Sequence, residues 1–283
     1  AREVGMWDDK TSPKFPRHPG ELTDMKDVRR MIDGYDCGIR YMDQHIGRVF
    51  DALEAAGVMD DLMVIISADH GENQGELGIY GEHGTADQIT CRIPMIIRYP
   101  GGQKGTVAKG LHHNLDLAPT VAELLGVNPC PRWDGVSYAP TLTQGTDCGK
   151  DYAVVSQCAH VCQRAVRFDD YIYIRTYHDG GHLFPKEMLF NLTDDPYEQH
   201  DLAEDQPELC MKGNYLLSAW HDDMMSSMAA DTPVDPLWRV IQEGGPFHAR
   251  GHLPAYVERL KQTDRGWAVD EVKRRHPEQF PQG

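Results

Sequence analysis

The chain has 283 residues, with 28 Lys and Arg against 44 Asp and Glu, giving a formal net charge of −16 with its 14 histidines neutral. That balance excludes a general nucleic-acid or anionic-membrane surface, since both need basic patches. It leaves an anionic substrate open, because one metal ion inverts a local field. The longest strongly apolar run, Leu62–Ile66, falls far short of the ~20 residues a membrane span needs.

Length suits one large or two small domains. Ala1–Gly20 has no starting Met and carries Pro13, Pro16, Pro19 and Gly20, which reads as a connecting segment. The chain is therefore expected to be the later part of a longer protein. From Asp24 to Ala56, apolar residues from Val28 to Leu53 recur at steps of three and four, which predicts one long amphipathic helix. Asp24 suits its N-cap and Gly57 its C-terminal stop. Leu62–Ser67 is a short branched apolar run and predicts a strand buried on both faces. Gly71–Gly84 is glycine-rich loop, Pro94–Tyr99 a second buried strand, and Asp116–Leu125 a short helix with Pro119 in its first turn. After about Gly145 the pattern turns to short strands, at Tyr152–Ser156, Ala165–Phe168, Tyr171–Thr176 and Met188–Leu192, which read as an antiparallel meander. Helices are expected at Leu209–Met224 and Ala255–Gln262.

The seven cysteines, Cys37, Cys91, Cys130, Cys148, Cys158, Cys162 and Cys210, are odd in number and loosely spaced. They read mostly as reduced packing residues and lean toward a reducing, cytoplasmic compartment. Cys158 and Cys162 lie four apart with no second close pair to complete a zinc site.

Asp69-His70-Gly71 follows a predicted strand directly, the place where α/β sheets bind ligands. An adjacent carboxylate and imidazole suit a divalent metal, though a loop Asp capping a turn beside a surface His would read the same way. The loop that follows holds Glu72, Glu76, Glu82 and His83 among four glycines. Glycine at that density lets the loop fold back over the strand end, where His83 could give a proton to a leaving oxygen. A flexible acidic surface loop is the competing interpretation. His112-His113 reads as a solvated turn, and His178 and His182 as flanking an exposed hairpin tip. Arg164 or Arg167 could meet an anionic substrate, against the plainer reading of alternating charge on a half-buried strand.

Several of these segments together resemble the sulfatase family of the alkaline phosphatase superfamily. They are Ser67–Glu72, the glycine loop, Arg92–Gly101, Tyr41–Arg48, Asp116–Thr120, Trp133–Ser137, Met188–Leu192 and Asp195–Glu198, in an order that runs from about Val28 to Leu202. The resemblance implies an α/β fold, part of an alkaline-phosphatase-like sandwich with a central mixed sheet, then a smaller antiparallel C-terminal subdomain. Residues 1–148 would form the later part of the catalytic domain and 149–283 the subdomain and tail. It implies hydrolysis of sulfate esters on a sulfated small molecule or glycan, with no nucleic acid or membrane partner. Asp69 and His70 fall on metal-binding positions, usually calcium, with Mg or Mn as alternatives. His83 falls, with one residue of slippage, where the family commonly has a Lys facing the sulfate. It is the expected catalytic residue, with His83 and Arg164 toward substrate.

Two departures stand out. No Cys or Ser heads the Cys/Ser-x-Pro-x-Arg pattern that yields the family's formylglycine nucleophile, and Arg17-His18-Pro19 poorly matches the family's substrate histidine segment. An upstream segment is expected to supply both, and this chain alone is expected to be inactive. Two alternatives remain: a phosphodiester or phosphonate monoester hydrolase of the same superfamily, and a non-catalytic sulfoglycan-binding relic.

Overall fold

The computed structural model describes residues 22–229, 231 and 234–280. In chain order the elements are α1 Met25–Ala55, β1 Val64–Ser67, β2 Asn73–Gln74, β3 Tyr80–Glu82, α2 Gln88–Cys91, β4 Met95–Arg98, α3 Leu117–Leu124 and α4 Ala139–Thr143. Then follow β5 Tyr152–Gln157, β6 Cys162–Phe168, β7 Tyr171–His178, β8 Glu187–Asn191, α5 Pro207–Ser227, α6 Pro236–Gln242, α7 Leu253–Gln262 and α8 Val269–Arg275. The described chain forms two compact units. One gathers Asp33–Asp69 with Ile93–Ala153, and the other the described residues within 22–32, 70–92 and 154–280. No helix among the described residues is long and apolar enough to cross a membrane.

Helix α1 begins where its cap chemistry dictates. The Asp24 carboxylate accepts from the Lys26 and Asp27 amides at 2.8 and 3.0 Å, satisfying donors that a first turn leaves open. Gly57 ends the helix at φ +68°, a left-handed conformation that glycine adopts without strain. Only Met31 of the helix is buried.

In the first unit β1 and β4 pair antiparallel, Val64 opposite Arg98 and Ser67 opposite Met95. The family resemblance implies a central mixed sheet; the described residues of this unit show this antiparallel pair. The expectation that both strands are buried on two faces is corrected: Ile65 is 39% exposed and Ile96 62%. Ile65 stands opposite Ile97 and Ile96 opposite Ile66, so the two exposed side chains lie on opposite faces of the ribbon, and neither face is fully covered among the described residues. Asp116 anchors the same unit. It is buried, pairs with Lys150 at 2.7 Å, and accepts from the Val136 and His113 amides. His113 caps the turn that leads into α3, its ring accepting from the Leu115 amide.

In the second unit β5-β6-β7-β8 form the expected antiparallel meander in sequence order. Its fully buried side chains, among them Val166, Ile172, Ile174 and Leu189, come from alternating branched and aromatic strand sequence. Ala86 of the glycine arm packs into the cluster of Ala165, Ile172, Ile174, Met188 and Phe190. The Ala86 amide also donates to Gln163 Oε1 at 3.1 Å. The sheet thus grips the arm that carries His83. Helices α7 and α8 build their own core around Leu253, Val257, Leu260 and Val272.

Candidate active site

The arm between His70 and Arg92 is held by a buried polar network rather than by regular structure. Asn73 Nδ2 donates to Asp87 Oδ2 at 2.9 Å, Thr85 Oγ1 donates to Asp87 Oδ1 at 2.7 Å, and Thr90 Oγ1 donates to Asn73 Oδ1 at 2.8 Å. Every member is at most 1% exposed. Buried polar groups cost little only when all are satisfied, so a closed network of this kind fixes one loop conformation. At the loop's start the Gly71 amide donates to the Thr90 carbonyl at 2.8 Å. A Cβ at Gly71 would stand 1.9 Å from the Ile89 carbonyl oxygen, so only glycine permits this approach.

With both ends of the arm tied together, His83 meets His70. Their rings stack at 3.6 Å between centroids and 18° between planes. Glu72 Oε2 lies 3.4 Å from His83 Nδ1. His70, Glu72 and His83 each offer one ligand atom within 4.8 Å of the others. His70 Nδ1 is 2.8 Å from the Gly71 carbonyl. A carbonyl only accepts, so Nδ1 carries the proton and Nε2 is the basic nitrogen, the tautomer that metal-binding histidines adopt. Burial raises the Glu72 pKa, and the neighbouring His83 opposes that rise. One face of this group is walled by His160, whose ring lies 6.4 Å from that of His83 and whose Nε2 is 3.2 Å from Glu82 Oε2.

Two family models match the sequence: "Sulfatase" over residues 7–127, and "N-sulphoglucosamine sulphohydrolase, C-terminal" over residues 75–214. Between them the two models span residues 7–214, and over that stretch the chain is similar to the sulfatase family. Among curated relatives, choline-sulfatase of Rhizobium meliloti is 31% identical over 190 residues, covering 63% of this chain and 34% of the relative. The multifunctional alkaline phosphatase superfamily protein PehA of Trinickia caryophylli is 34% identical over 129 residues, covering 44% of this chain and 25% of the relative. A solved 2-O GAG sulfatase shares the fold, with a TM-score of 0.64 at 23% identity over 75% of this chain and 46% of that one. The chain thus spans well under half the length of these curated relatives.

Within this sulfatase-family frame, the sequence-predicted residues fall as follows. Asp69 ends the stretch that follows β1, and His70 opens the arm. Arg164 is buried, donates from Nη2 to Asp235 Oδ1 at 2.6 Å, and lies 4.9 Å over the Trp220 ring. Its charge is already paired within the fold, an arrangement suited to bracing β6 against α6. His18 lies outside the described residues. The tip at His178–His182 is not the exposed turn expected. Asp179 is buried there, bonded to His276 Nε2 at 2.7 Å and to Arg275 at 2.6 Å. Burial, with His276 beside it, lowers the His178 pKa to about 4. Sequence reasoning left Glu72 as one loop acid among several and gave His160 no role. His160 carries no local signal, because its contact with Glu82 spans most of the meander's approach.

Proposed function

We propose that these residues form the ion-holding and leaving-group side of a sulfate-ester hydrolase site. The observation that carries the proposal is the stacking of His83 on His70 with Glu72 alongside, which gathers two imidazoles and a carboxylate from positions thirteen residues apart. Asp69 and His70 match the family's metal positions, and Glu72 adds a half-buried carboxylate. The residues fit a divalent ion: His70 presents its basic nitrogen, and the half-buried Glu72 supplies a carboxylate oxygen within 4.8 Å of it. The imidazole of His70 suits Mn2+ or Zn2+ better than calcium, which prefers an all-oxygen shell. An ion bound there would supply Lewis-acid neutralisation of charge on the transferring group.

His83 then serves the leaving oxygen. Glu72 lies 3.4 Å from Nδ1, which leaves Nε2 as the ring nitrogen to meet a developing alkoxide as proton donor. None of the seven cysteines heads a Cys-x-Pro-x-Arg run, so these residues account for ion holding and leaving-group protonation and not for the nucleophile. Formylglycine belongs to the proposal only as a group carried on another segment. The substrate class is a sulfated small molecule or glycan.

Leaving-group dependence tests the role of His83. In the full-length protein, His83→Ala should lower kcat about 10²–10⁴-fold on an alkyl sulfate, the range of a lost general acid. The same change should cost far less on a nitrophenyl sulfate, whose leaving group needs no proton. Equal losses on both substrates would refute the assignment. A second reading, a phosphodiester or phosphonate monoester hydrolase, stays within the alkaline phosphatase superfamily, for which a 34% identical relative is named multifunctional. Higher kcat/KM on an aryl phosphonate than on the matched aryl sulfate would decide for it.

A further inference from the structure

The C-terminal segment meets the end of β7 in a second group of metal-ligating side chains. His178 closes β7, His276 directly follows α8, and Glu278 lies in the turn Pro277–Gln279. Each offers one ligand atom, and the three atoms lie within 4.8 Å of one another. The two imidazole rings stack at 4.4 Å and 29°. His276 Nδ1 is 3.8 Å from Glu278 Oε1. His276 is buried and the Glu278 side chain is 53% exposed, so the group opens to solvent on its carboxylate side.

Hydrogen bonding sets which nitrogens are free. His276 Nε2 lies 2.7 Å from Asp179 Oδ1. Asp179 is buried, yet His276, the Gly181 amide and Arg275 hold its pKa down at about 2, so it stays a carboxylate and only accepts. The His276 proton therefore sits on Nε2, and Nδ1 keeps its lone pair on the side of Glu278. A carboxylate behind an imidazole is the arrangement that orients metal-bound histidines and makes them more basic. His178 Nδ1 accepts from the Gly180 amide at 3.1 Å, and its Nε2 is buried without a hydrogen-bond partner among the described residues. A buried ring nitrogen left unpaired is rare and calls for a partner. A Cβ at Gly245 would stand 2.5 Å from that nitrogen, so glycine leaves space there that any other residue would fill.

We propose that His178 Nε2, His276 Nδ1 and a Glu278 oxygen form a second metal site, for Zn2+, that clasps the end of β7 to the segment after α8. Two imidazoles and one carboxylate suit Zn2+ over Ca2+ or Mg2+, which favour all-oxygen shells. Three protein ligands leave a fourth position for water, which the open side of the group admits. Binding moves the His178 proton from Nε2 to Nδ1 and releases the Gly180 amide. One neutral hydrogen bond is small beside a metal–nitrogen bond. Neither ring loses its proton, and Glu278 binds as the carboxylate. The ion adds a tie to a segment that Arg275 and His276 already anchor to Asp179. All three ligands lie in one compact unit, and none belongs to the His70–Glu72 group.

The test titrates Zn2+ by calorimetry into the protein carrying His70→Ala and Glu72→Gln, which removes the arm ligands. A Zn2+ site should remain. Glu278→Gln and His276→Gln should each weaken it at least about tenfold, and an equal concentration of Ca2+ should not compete. The Glu278 side chain is exposed, so its variant keeps the test open where His276→Gln fails to fold. In the unaltered protein, nitrogen-15 imidazole NMR should show His178 passing from the Nε2–H to the Nδ1–H tautomer as Zn2+ is added. The Gly180 amide signal should move with it, and EDTA should reverse both changes. No remaining site in the arm variant, Zn2+ affinity unchanged by Glu278→Gln, or a His178 tautomer that stays as it was would each overturn the clasp. These readouts need neither turnover nor the arm, so the clasp can fail while the hydrolase reading stands, and the reverse.

Discussion

Glu198 is 3% exposed, and its Oε2 has no hydrogen-bond partner among the described residues. Its other oxygen accepts from the Gln88 amide at 3.1 Å, at the start of α2 and so at the base of the arm that carries His83. Burial, with Asp87 nearby, raises its pKa from 4.5 to about 8. A carboxyl whose folded pKa is raised contributes its full stability below the unfolded value and loses it as pH rises through the folded one. The window is therefore pH 4.5 to about 8. A rise of that size corresponds to ~5 kcal/mol between the acid and alkaline limits, at ~1.4 kcal/mol per pKa unit. Glu198→Gln keeps the shape and the acceptor for Gln88 but cannot ionise. Urea unfolding followed by tryptophan fluorescence should show the wild type losing several kcal/mol between pH 5 and 8.5 relative to the variant, with the variant ~3 kcal/mol the more stable near pH 7. Identical pH slopes for the two proteins would refute the reasoning.

Three further outcomes follow from the same geometry. Gly71→Ala drives a methyl into the Ile89 carbonyl and should cost ~2–4 kcal/mol, whereas Gly34→Ala, in open space inside α1, should gain up to ~1 kcal/mol; thermal melts of both variants check the contrast. Arg164→Met leaves Asp235 buried beside no guanidinium and should destabilise by ~3–5 kcal/mol, measured by urea titration; the double change with Asp235→Leu should recover most of it. Because the Glu72 pKa is raised by burial, ion binding must displace its proton at low pH. Divalent-ion affinity measured by calorimetry should therefore climb as pH rises through the Glu72 pKa, and Glu72→Gln should remove that dependence while weakening affinity.

Much of the fold was legible because local chemistry and tertiary packing agree. The three-and-four period of α1 lies between a carboxylate cap and a left-handed glycine, and the observed helix ends within a residue of the expected span. The meander was legible because alternation and the Asp169-Asp170 turn leave few other pairings. Helices α6 and α8 were not, since each is seven residues long in Pro- and Gly-punctuated sequence, and their burial comes from distant partners. The α1 face and Ile96 mislead in the opposite direction: they read as buried, because apolar periodicity reports what a surface is suited to cover and not whether it is covered. At the site, the glycine density and the Asp69-His70 pair pointed to the right loop. The network of Asn73, Thr85, Asp87 and Thr90 that sets its shape was invisible, because short polar residues in a loop look solvated whether or not they are. Glu72 emerged only when the arm closed and put His83 against it.

The central claim is that a divalent ion is held at the His70–Glu72 end of this arm. Calorimetric titration of Mn2+, Zn2+ and Ca2+ into the protein, repeated with Asp69→Ala, His70→Ala and Glu72→Gln, tests it most directly. The account predicts one site sensitive to these changes, preference for Mn2+ or Zn2+ there, and at least a tenfold loss in each variant, the size expected when one ligand of a few is removed. Binding of equal strength in wild type and all three variants, or none in the wild type, would contradict it.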